Sequence, residues 1–595
     1  MSYILGISAF YHDSAAVLIK DGKILAAIQE ERFTRKKNEN SFPYNAIREC
    51  MKIAKINLNQ VEKICYYEDP EIKFDRIMKT YKRKFPKGSY QLIKNFNRYR
   101  NYKNINKLLL KYFKQYFNHN NIDVYFSKHH LSHASASFFA SKFKDSAILC
   151  IDGVGEWDTT TAWIGSENRI DKIWSIKFPH SIGLLYSSFT YYCGFEVDLG
   201  EYKLMGLAPY GNPIYKNIIL ENLISIQDNG QFKLNMNYFN YEVGNSMINR
   251  KFSNLFNEPP RDSEDEMTQF YMDIASSIQL VTEEIIVKMA NDLYKTTNSE
   301  YLCLSGGVAL NCVVNGILLK KTKFKDIFIQ PAAGDAGAAL GAALTYWHIE
   351  KKNKRDLSYI KQDLMEGGYL GTEYTNETIE SELLRLNANF KKLSDNALIQ
   401  ETAANIEKGM VCGWFQGKME FGPRALGNRS IIGDARNSKM QRIINLKIKN
   451  RESFRPFAPI VLENHAREWF DIDVKSPYML FVTNVSDDKL IKSESNKYIG
   501  FDKLNQIRST IPAVTHVNNS ARIQTINEDY NPKMNKLIEI FYENTNVPLI
   551  INTSFNVKDE PIVESPKDAY KCFMETDMDC LVIGNYILLK TNNNS

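Results

Sequence analysis

The 595 residues predict roughly three to five folding units at the usual domain size of about 100–200 residues. Apolar residues make up 44 % and charged residues 24 %, which excludes a disordered chain, a collagen-like repeat or a small disulfide scaffold. The formal charge of +6 is too small for a polyanion binder as a whole, yet it is unevenly placed. Between Lys73 and Tyr116, 14 Lys/Arg stand against the single acid Asp75, an excess of +13 that leaves the remainder at −7.

Nine cysteines contain no C-x-x-C pair. Most lie in apolar runs such as Ala147–Ile151 and Tyr301–Leu304, the setting of buried free thiols in a reducing cytoplasm. No apolar run approaches the roughly 18 residues of a membrane span. His12 and Asp13 interrupt the first apolar stretch before a signal-peptide core develops.

In chain order, Tyr3–Ile7, Ser14–Ile19 and Lys23–Ile28 have a strand rhythm, the last two joined by an Asp21-Gly22 hairpin turn. A similar unit returns near 145: Ala147–Ile151, the loop Asp152–Gly155, then Thr159–Trp163 and Ile170–Ile176. Two copies suggest an internal duplication. Asp273–Tyr294 repeats apolar residues at helical spacing; Leu302–Leu304 is a strand running into Ser305-Gly306-Gly307, with a helix expected over Ala309–Lys320. Ile327–Gln330 is a strand ending at Pro331–Asp335, followed by a small-residue helix over Ala336–Trp347. Such alternation predicts an α/β architecture. Lys351–Arg355 opens a charge-rich linker over 351–365. Beyond it a helix at Asp395–Lys408 and strands at Met410–Phe415, Val547–Asn552 and Cys580–Leu588 predict a second α/β unit over 366–595.

Chemistry concentrates in three places. In His129-His130-Leu-Ser-His133 a helix would set His129 and His133 one turn apart on one face, within reach of one metal. Asp152 and Asp335 each follow a strand at a glycine-containing loop, where α/β sheets place ligand-binding residues. Two His and two Asp suit Fe(II), Mn or Zn. The loops Asp152–Gly155, Ser305–Gly307 and Gly334–Gly337 offer backbone N–H groups to a phosphate or nucleotide. None is a Walker A loop; Gly413–Lys418 has the wrong spacing. Phe421–Ser430 and Lys449–Phe457 gather Arg424, Arg429, Arg451, Arg455 and Lys449 beside prolines, a composition for anion recognition. Asn552-Thr-Ser554 adds amide and hydroxyl groups at a strand end.

Together these motifs resemble the O-carbamoyltransferase family of antibiotic and nodulation-factor biosynthesis over nearly the whole chain. The resemblance rests on Tyr11-His12-Asp13, Glu30–Lys37, the histidine motif, Lys203–Pro209, Ser305–Gly307, Gly422–Gly427, Arg455–Pro459 and Asn552–Asn556. It implies a duplicated actin/hexokinase-like module over 1–350, its second half starting near 145, and a YrdC-like module over 366–595. It further implies that carbamoyl phosphate and ATP (with Mg) give carbamoyl adenylate in the second module. The carbamoyl group then passes to an acceptor hydroxyl at an iron site in the first.

By the same resemblance the metal ligands are His129, His133, Asp152 and Asp335. His12 contacts carbamoyl adenylate and helps deprotonate the acceptor, and Gly307 lies against the nucleotide. Arg455, Arg522, Asn552 and Ser554 hold carbamoyl phosphate; Arg424, Lys449 and Met479 face ATP. His12, Arg455 and Lys449 are the expected catalytic groups. Competing readings are a tRNA threonylcarbamoyl-type enzyme, a hydrogenase-maturation carbamoyltransferase, whose C-x-x-C fingers are absent here, and a non-catalytic nucleotide-binding protein. Nucleic acid is the less favoured partner, and neither the acceptor nor the oligomeric state can be read from the sequence.

The basic stretch 73–116 matches no family motif. From Leu92 onward, Phe96, Tyr99, Tyr102, Ile105, Leu109, Tyr112 and Tyr116 recur near a helical period. The plain expectation is an amphipathic helix or helix pair with solvated cations. The sharper one is an electrostatic dock for an anionic acceptor, such as a charged or lipid-linked glycan at a membrane surface.

Overall fold

The computed structural model describes residues 1–358, 362–492 and 498–590. They form two compact units: Met1–Ala27 with Asn40–Leu364, and Ile28–Glu39 with Met365–Ser595. Among the described residues no helix is long and apolar enough to cross a membrane.

The first unit holds two five-stranded sheets of one plan. β1 (Tyr3–Ser8), β2 (Ala15–Lys20), β3 (Lys23–Gln29), β4 (Val61–Tyr66) and β5 (Val124–Phe126) lie in the order β3-β2-β1-β4-β5. β1 is antiparallel to β2, and β1, β4 and β5 run parallel. Asp21 and Gly22 both have positive φ (49° and 84°), the conformation a two-residue I′ turn demands. The second sheet is built from β6 (Asp145–Gly155), β7 (Asp158–Ser166) and β8 (Arg169–Lys177). After a separate hairpin of β9 (Ile224–Ile226) and β10 (Phe232–Leu234), β11 (Tyr301–Ser305) and β12 (Asp326–Ile329) complete it in the order β12-β11-β6-β7-β8. Its strand senses repeat the first sheet: an antiparallel meander, then two parallel strands. The expected duplication is therefore present as topology, the plan the resemblance implied.

Between the sheets lie the helices His129–Phe138 and Asp335–Thr345. Their approach is close enough that a Cβ on Gly341 would stand 1.7 Å from the Ser132 carbonyl oxygen, so only glycine fits there. This packing sets the histidine helix against the start of the Asp335 helix.

Several local expectations are corrected. The helix placed at Ala309–Lys320 begins as a 3₁₀ turn, Gly307–Leu310, and restarts at Cys312–Lys321 because the Asn311 side chain caps the Val314 N–H. The basic stretch is three helices, Pro70–Lys84, Ser89–Lys103 and Ile105–Phe117, broken at Pro86 and Gly88 and again at Asn104. Tyr102, Ile105 and Leu109 are buried as the period demanded, whereas Phe96 and Tyr116 face solvent and Phe113, not the expected Tyr112, is the fully buried residue of that turn. Residues 359–361 of the expected linker lie outside the described residues. Arg355, read as part of that linker, instead anchors the first unit: its guanidinium donates to the carbonyls of Phe138, Ser141 and Phe143 at 2.8–3.0 Å.

Beside it His348 is buried against Phe139, its Nδ1 donating to the Asn353 carbonyl at 3.0 Å. Burial, reinforced by Arg355, lowers its pKa to about 4. The unfolded chain therefore binds more protons between pH 6.5 and 4. The stability His348 confers is complete above the unfolded pKa and is lost as pH falls through that window, by up to about 3 kcal/mol. Denaturant titrations at pH 7 and 4.5 should show this loss, and His348→Gln should flatten it by a comparable amount.

The second unit is a nine-stranded mixed sheet. It comprises β13 (Lys391–Lys392), β14 (Cys412–Phe415), β15 (Arg429–Gly433), β16 (Ala458–Leu462), β17 (Phe481–Asn484), β18 (Ser520–Ile526), β19 (Leu549–Ser554), β20 (Cys580–Ile583) and β21 (Tyr586–Leu589). Their order is β13-β21-β20-β14-β15-β19-β16-β18-β17. The strand expected over Cys580–Leu588 is in fact the hairpin β20–β21, turned at Gly584 with φ 53°. Segment 28–39, which the division at 350/366 left with the first module, groups with this unit. Arg32 donates to the Gly422 carbonyl at 2.6 Å, and Arg35 to the carbonyls of Pro561 and Ile562 at 2.7 Å each. Buried guanidinium bonds to main-chain oxygens explain why this arginine-rich stretch leaves its sequence neighbours.

Candidate functional sites

In the first unit four side chains converge. The histidine helix presents His129 and His133 one turn apart, their Nε2 atoms 3.1 Å from each other. Asp152 sits where the β6–β7 register shifts, its Oδ2 3.1 Å from His129 Nε2 and 3.6 Å from His133 Nε2. Asp335 opens its helix and places Oδ1 3.6 Å from both. The ligand atoms of all four lie within 4.8 Å of one another. Gly155 gives the His129 ring its room: a Cβ there would stand 2.0 Å from the imidazole.

Burial opposes charge on all four groups, but their pairing prevails. Asp335 and Asp152 hold His129 well above the ordinary imidazole value, while His129 and His133 hold Asp152 well below that of a carboxylate. Asp335 falls to about 2 through His12 and His129. Its buried Oδ2 accepts no hydrogen bond. Two imidazole nitrogens and two carboxylates around such an orphaned oxygen fit a divalent cation of intermediate hardness, which would displace the protons the histidines otherwise hold. His130 points elsewhere, its Nδ1 2.9 Å from Thr161 Oγ1.

Around this cluster, His12 has Nδ1 3.1 Å from Asp13 and Nε2 3.8 Å from Asp335 Oδ2. Although burial works against it, Asp335 and Asp13 raise its pKa to about 10. Gly307, expected against a nucleotide, stands exposed at the rim and donates its N–H to Asp152 Oδ1 at 3.2 Å.

Two further supports were not anticipated. Glu68 Oε2 faces His129 Nδ1 at 3.7 Å, and Lys73 Nζ holds that carboxylate at 2.7 and 3.0 Å from between the rings of Tyr11 and Tyr102. Ser305 Oγ lies 3.4 Å from His133 Nδ1. β4 and β11 occupy equivalent places in the two sheets, and Glu68 and Ser305 stand at their ends. The sequence predicts no strand at β4, so the duplication it suggests does not reach Glu68. At 3.7 Å Glu68 acts on His129 by charge and not through a hydrogen bond, whereas Ser305 is within reach of His133 Nδ1; groups so placed orient imidazole ligands.

In the second unit Lys449 is the centre. It is 2 % exposed, and its Nζ donates to the Ser554 carbonyl and, at 2.7–3.1 Å, to Ser554 Oγ and to the carbonyl and side-chain oxygens of Asn556. Burial first, then Arg451, Arg455 and Lys37, push its pKa well below the ordinary lysine value. Lys37, quoted within a motif but given no role by the sequence, joins this cluster through the rearranged 28–39 segment.

Asn552 donates to Gln524 Oε1 at 2.7 Å and to the Ala425 carbonyl at 3.1 Å, and its own Oδ1 is buried without a partner. Arg522 lies on β18 two residues before Gln524, as Ala458, which pairs with Asn552, lies two before Ile460 on β16. Arg522, Asn552 and Ser554 thus share one sheet face. Arg455 immediately precedes β16 and bonds Glu452 at 3.3 Å. Arg424 is half-buried, and Met479 is buried with φ 58°. Arg429 corrects the reading of its loop as wholly anion-binding. It is fully buried over the Phe415 ring, 3.7 Å to the centroid, and donates to the carbonyls of Gln416, Gly417, Asn428 and Thr372.

Residues 3–344 match the family description "Carbamoyltransferase N-terminus", and residues 403–590 match "Carbamoyltransferase C-terminus". An uncharacterized protein of Synechocystis sp. is 51 % identical over 99 % of this chain and 97 % of its own length. Nodulation protein NolNO of Sinorhizobium fredii is 34 % identical over 98 % of this chain and 80 % of its own. The 3'-hydroxymethylcephem-O-carbamoyltransferase of Streptomyces clavuligerus is 28 % identical over 48 % of each chain. By these matches and the motifs it shares with them, the chain is a transferase that belongs to the O-carbamoyltransferase family.

Proposed function

We propose that the protein transfers a carbamoyl group from carbamoyl phosphate to an acceptor hydroxyl at the expense of ATP, with Mg as the nucleotide's partner. The two half-reactions divide between the units. The observation that carries this reading is the four-ligand cluster of His129, His133, Asp152 and Asp335. Fe(II) is the cation we assign to it, with Mn or Zn as chemically compatible substitutes. When bound, it supplies Lewis acidity toward a carbonyl oxygen.

This chain's residues do the rest. Glu68 with Lys73, and Ser305, hold the two imidazoles in register. His12 stands beside the cluster with one nitrogen on Asp13 and the other toward Asp335, placed to orient the carbamoyl donor; it would take the acceptor proton once a bound cation offsets the Asp335 charge that otherwise keeps its imidazole protonated. In the second unit, which we read as a YrdC-like adenylate-forming module, Arg455, Arg522, Asn552 and Ser554 bind carbamoyl phosphate, while Arg424, Lys449 and Met479 face ATP. Crowded cations suit this task, since two anionic substrates must be held together against mutual repulsion. Nine buried free thiols agree with a reducing cytoplasm as the site of action.

Incubation with carbamoyl phosphate and ATP, without acceptor, is expected to release AMP and pyrophosphate. Orthophosphate accompanies them, because carbamoyl phosphate is first cleaved to the carbamate that attacks ATP; ADP in place of AMP would overturn the adenylation step.

A further inference from the structure

The most cationic part of the molecule carries an apolar tip that the transfer chemistry does not use. From Arg76 to Ile122 there are 13 Lys/Arg and no Asp or Glu. Some of these cations are spent inside the fold. Arg76 packs on the Phe178 ring, and Arg83 and Lys84 both pair with Glu242, at 2.7 and 2.6 Å. Within 82–87, the dock expected of the basic stretch is thereby narrowed to Lys82 and Lys87. These two face solvent together with Lys94, Arg98, Arg100 and Lys103.

Among them stand four large apolar side chains: Phe85 is 75 % exposed, Tyr90 68 %, Ile93 76 % and Phe96 46 %. On the helix Ser89–Lys103, Tyr90, Ile93 and Phe96 span about 120° centred opposite Tyr102, which is buried. Single exposed apolar residues need no explanation, but four within 12 positions, flanked only by positive charge, form the two-component face of an interfacial helix.

We propose that the hairpin of helices Pro70–Lys84 and Ser89–Lys103 docks this protein on an anionic lipid bilayer. Its apolar tip enters the headgroup boundary and its cations meet the surface charge. A single-stranded nucleic acid would also be drawn to the charge, but it needs aromatic faces for its bases. Phe85, Tyr90 and Phe96 offer such faces, but Ile93, the most exposed of the four, offers none and is accommodated only by an apolar phase. Tyr99 and Tyr102 are turned inward: Tyr99 meets the Tyr81 hydroxyl at 3.1 Å, and the Tyr102 hydroxyl accepts from Arg98 at 2.9 Å. The docking face is tied to the cluster in the same unit, since Tyr102 also packs on Lys73, the partner of Glu68. A hydroxyl presented at a bilayer surface thus becomes a natural class of acceptor, a consequence that rests on the proposed function; the docking itself does not.

The test is sedimentation of the full chain with vesicles of phosphatidylcholine alone or with phosphatidylglycerol added. The protein should pellet with the anionic vesicles and not with the neutral ones. Binding should weaken at least about tenfold between roughly 0.1 and 0.5 M salt. Ile93→Ser with Phe96→Ser, and separately Lys87→Gln with Lys94→Gln and Arg100→Gln, should each weaken it about tenfold without moving the melting temperature or AMP formation. Equal pelleting with neutral vesicles, or none with either, would overturn the proposal. So would tighter binding to single-stranded RNA that is lost in the same variants.

Discussion

His133→Ala is expected to abolish carbamoylation of any acceptor, by about 10³-fold or more, and to reduce bound metal to background, while leaving AMP formation within about twofold. The size follows from the geometry. His133 is fully buried, and its Nε2 lies within 3.6 Å of both carboxylates and 3.1 Å from His129 Nε2. Removing it leaves Asp152 and Asp335 facing one imidazole, so the carboxylates lose the positive partner that keeps them ionised. His133→Asn, which keeps more of the volume and a polar tip, separates loss of the ligand from loss of packing. It should restore the melting temperature without restoring metal, read by elemental analysis or by Co(II) absorption. If a folded His133→Asn protein lost AMP formation as well, the division of labour between the units would be wrong.

The legible and illegible parts of this protein separate along physical lines. Strands such as β1, β6 and β11 are short apolar runs bounded by glycine or aspartate, a signal local enough to survive in the sequence. The duplication was legible because each copy repeats those runs with its own turn. The four cluster residues were legible because two lie at i and i+4 on a helix and two stand at glycine-containing stretches, although Asp152 proves to lie inside β6 at its register shift and not beyond the strand's end.

What escaped depends on contacts distant in sequence. The grouping of 28–39 with the second unit is made by Arg32 and Arg35 reaching carbonyls nearly 400 and more than 500 positions away, and no local pattern encodes that. Glu68 and Lys73 draw no notice in the sequence; they gain a role only once β4 is seen to occupy the place of β11. Arg429 and Arg455 look alike in composition. Only burial shows the first satisfied by main-chain oxygens, whereas Arg455 pairs with the carboxylate of Glu452 on a less buried side chain.

Lys449→Met is expected to lower AMP formation from carbamoyl phosphate and ATP by about 10³-fold. Transfer to an acceptor should persist when carbamoyl adenylate is supplied. Lys449 is the one cation in its cluster that is both buried and wrapped by main-chain and side-chain oxygens of the Ser554–Asn556 loop. Its amine therefore has two tasks: it holds that loop, with Ser554 and the adjoining Asn552 on the sheet face shared by Arg522, and it gains and contributes charge when a bound anion offsets the burial and neighbouring cations that lower its pKa.

Methionine keeps the length and removes both contributions, leaving the loop oxygens unpaired at a cost of about 1–3 kcal/mol of stability. A stability effect alone would depress all activities of the unit in parallel and would be relieved by cooling. Arg455→Ala supplies the control. Arg455 is 14 % exposed and pairs with Glu452 at 3.3 Å; its removal should raise the KM for carbamoyl phosphate at least tenfold, with the melting temperature reporting separately any effect on the fold. An unchanged KM in Arg455→Ala, with Lys449→Met inactive, would reduce the cluster to a structural clamp on the 554–556 loop and move the anion site elsewhere in the unit.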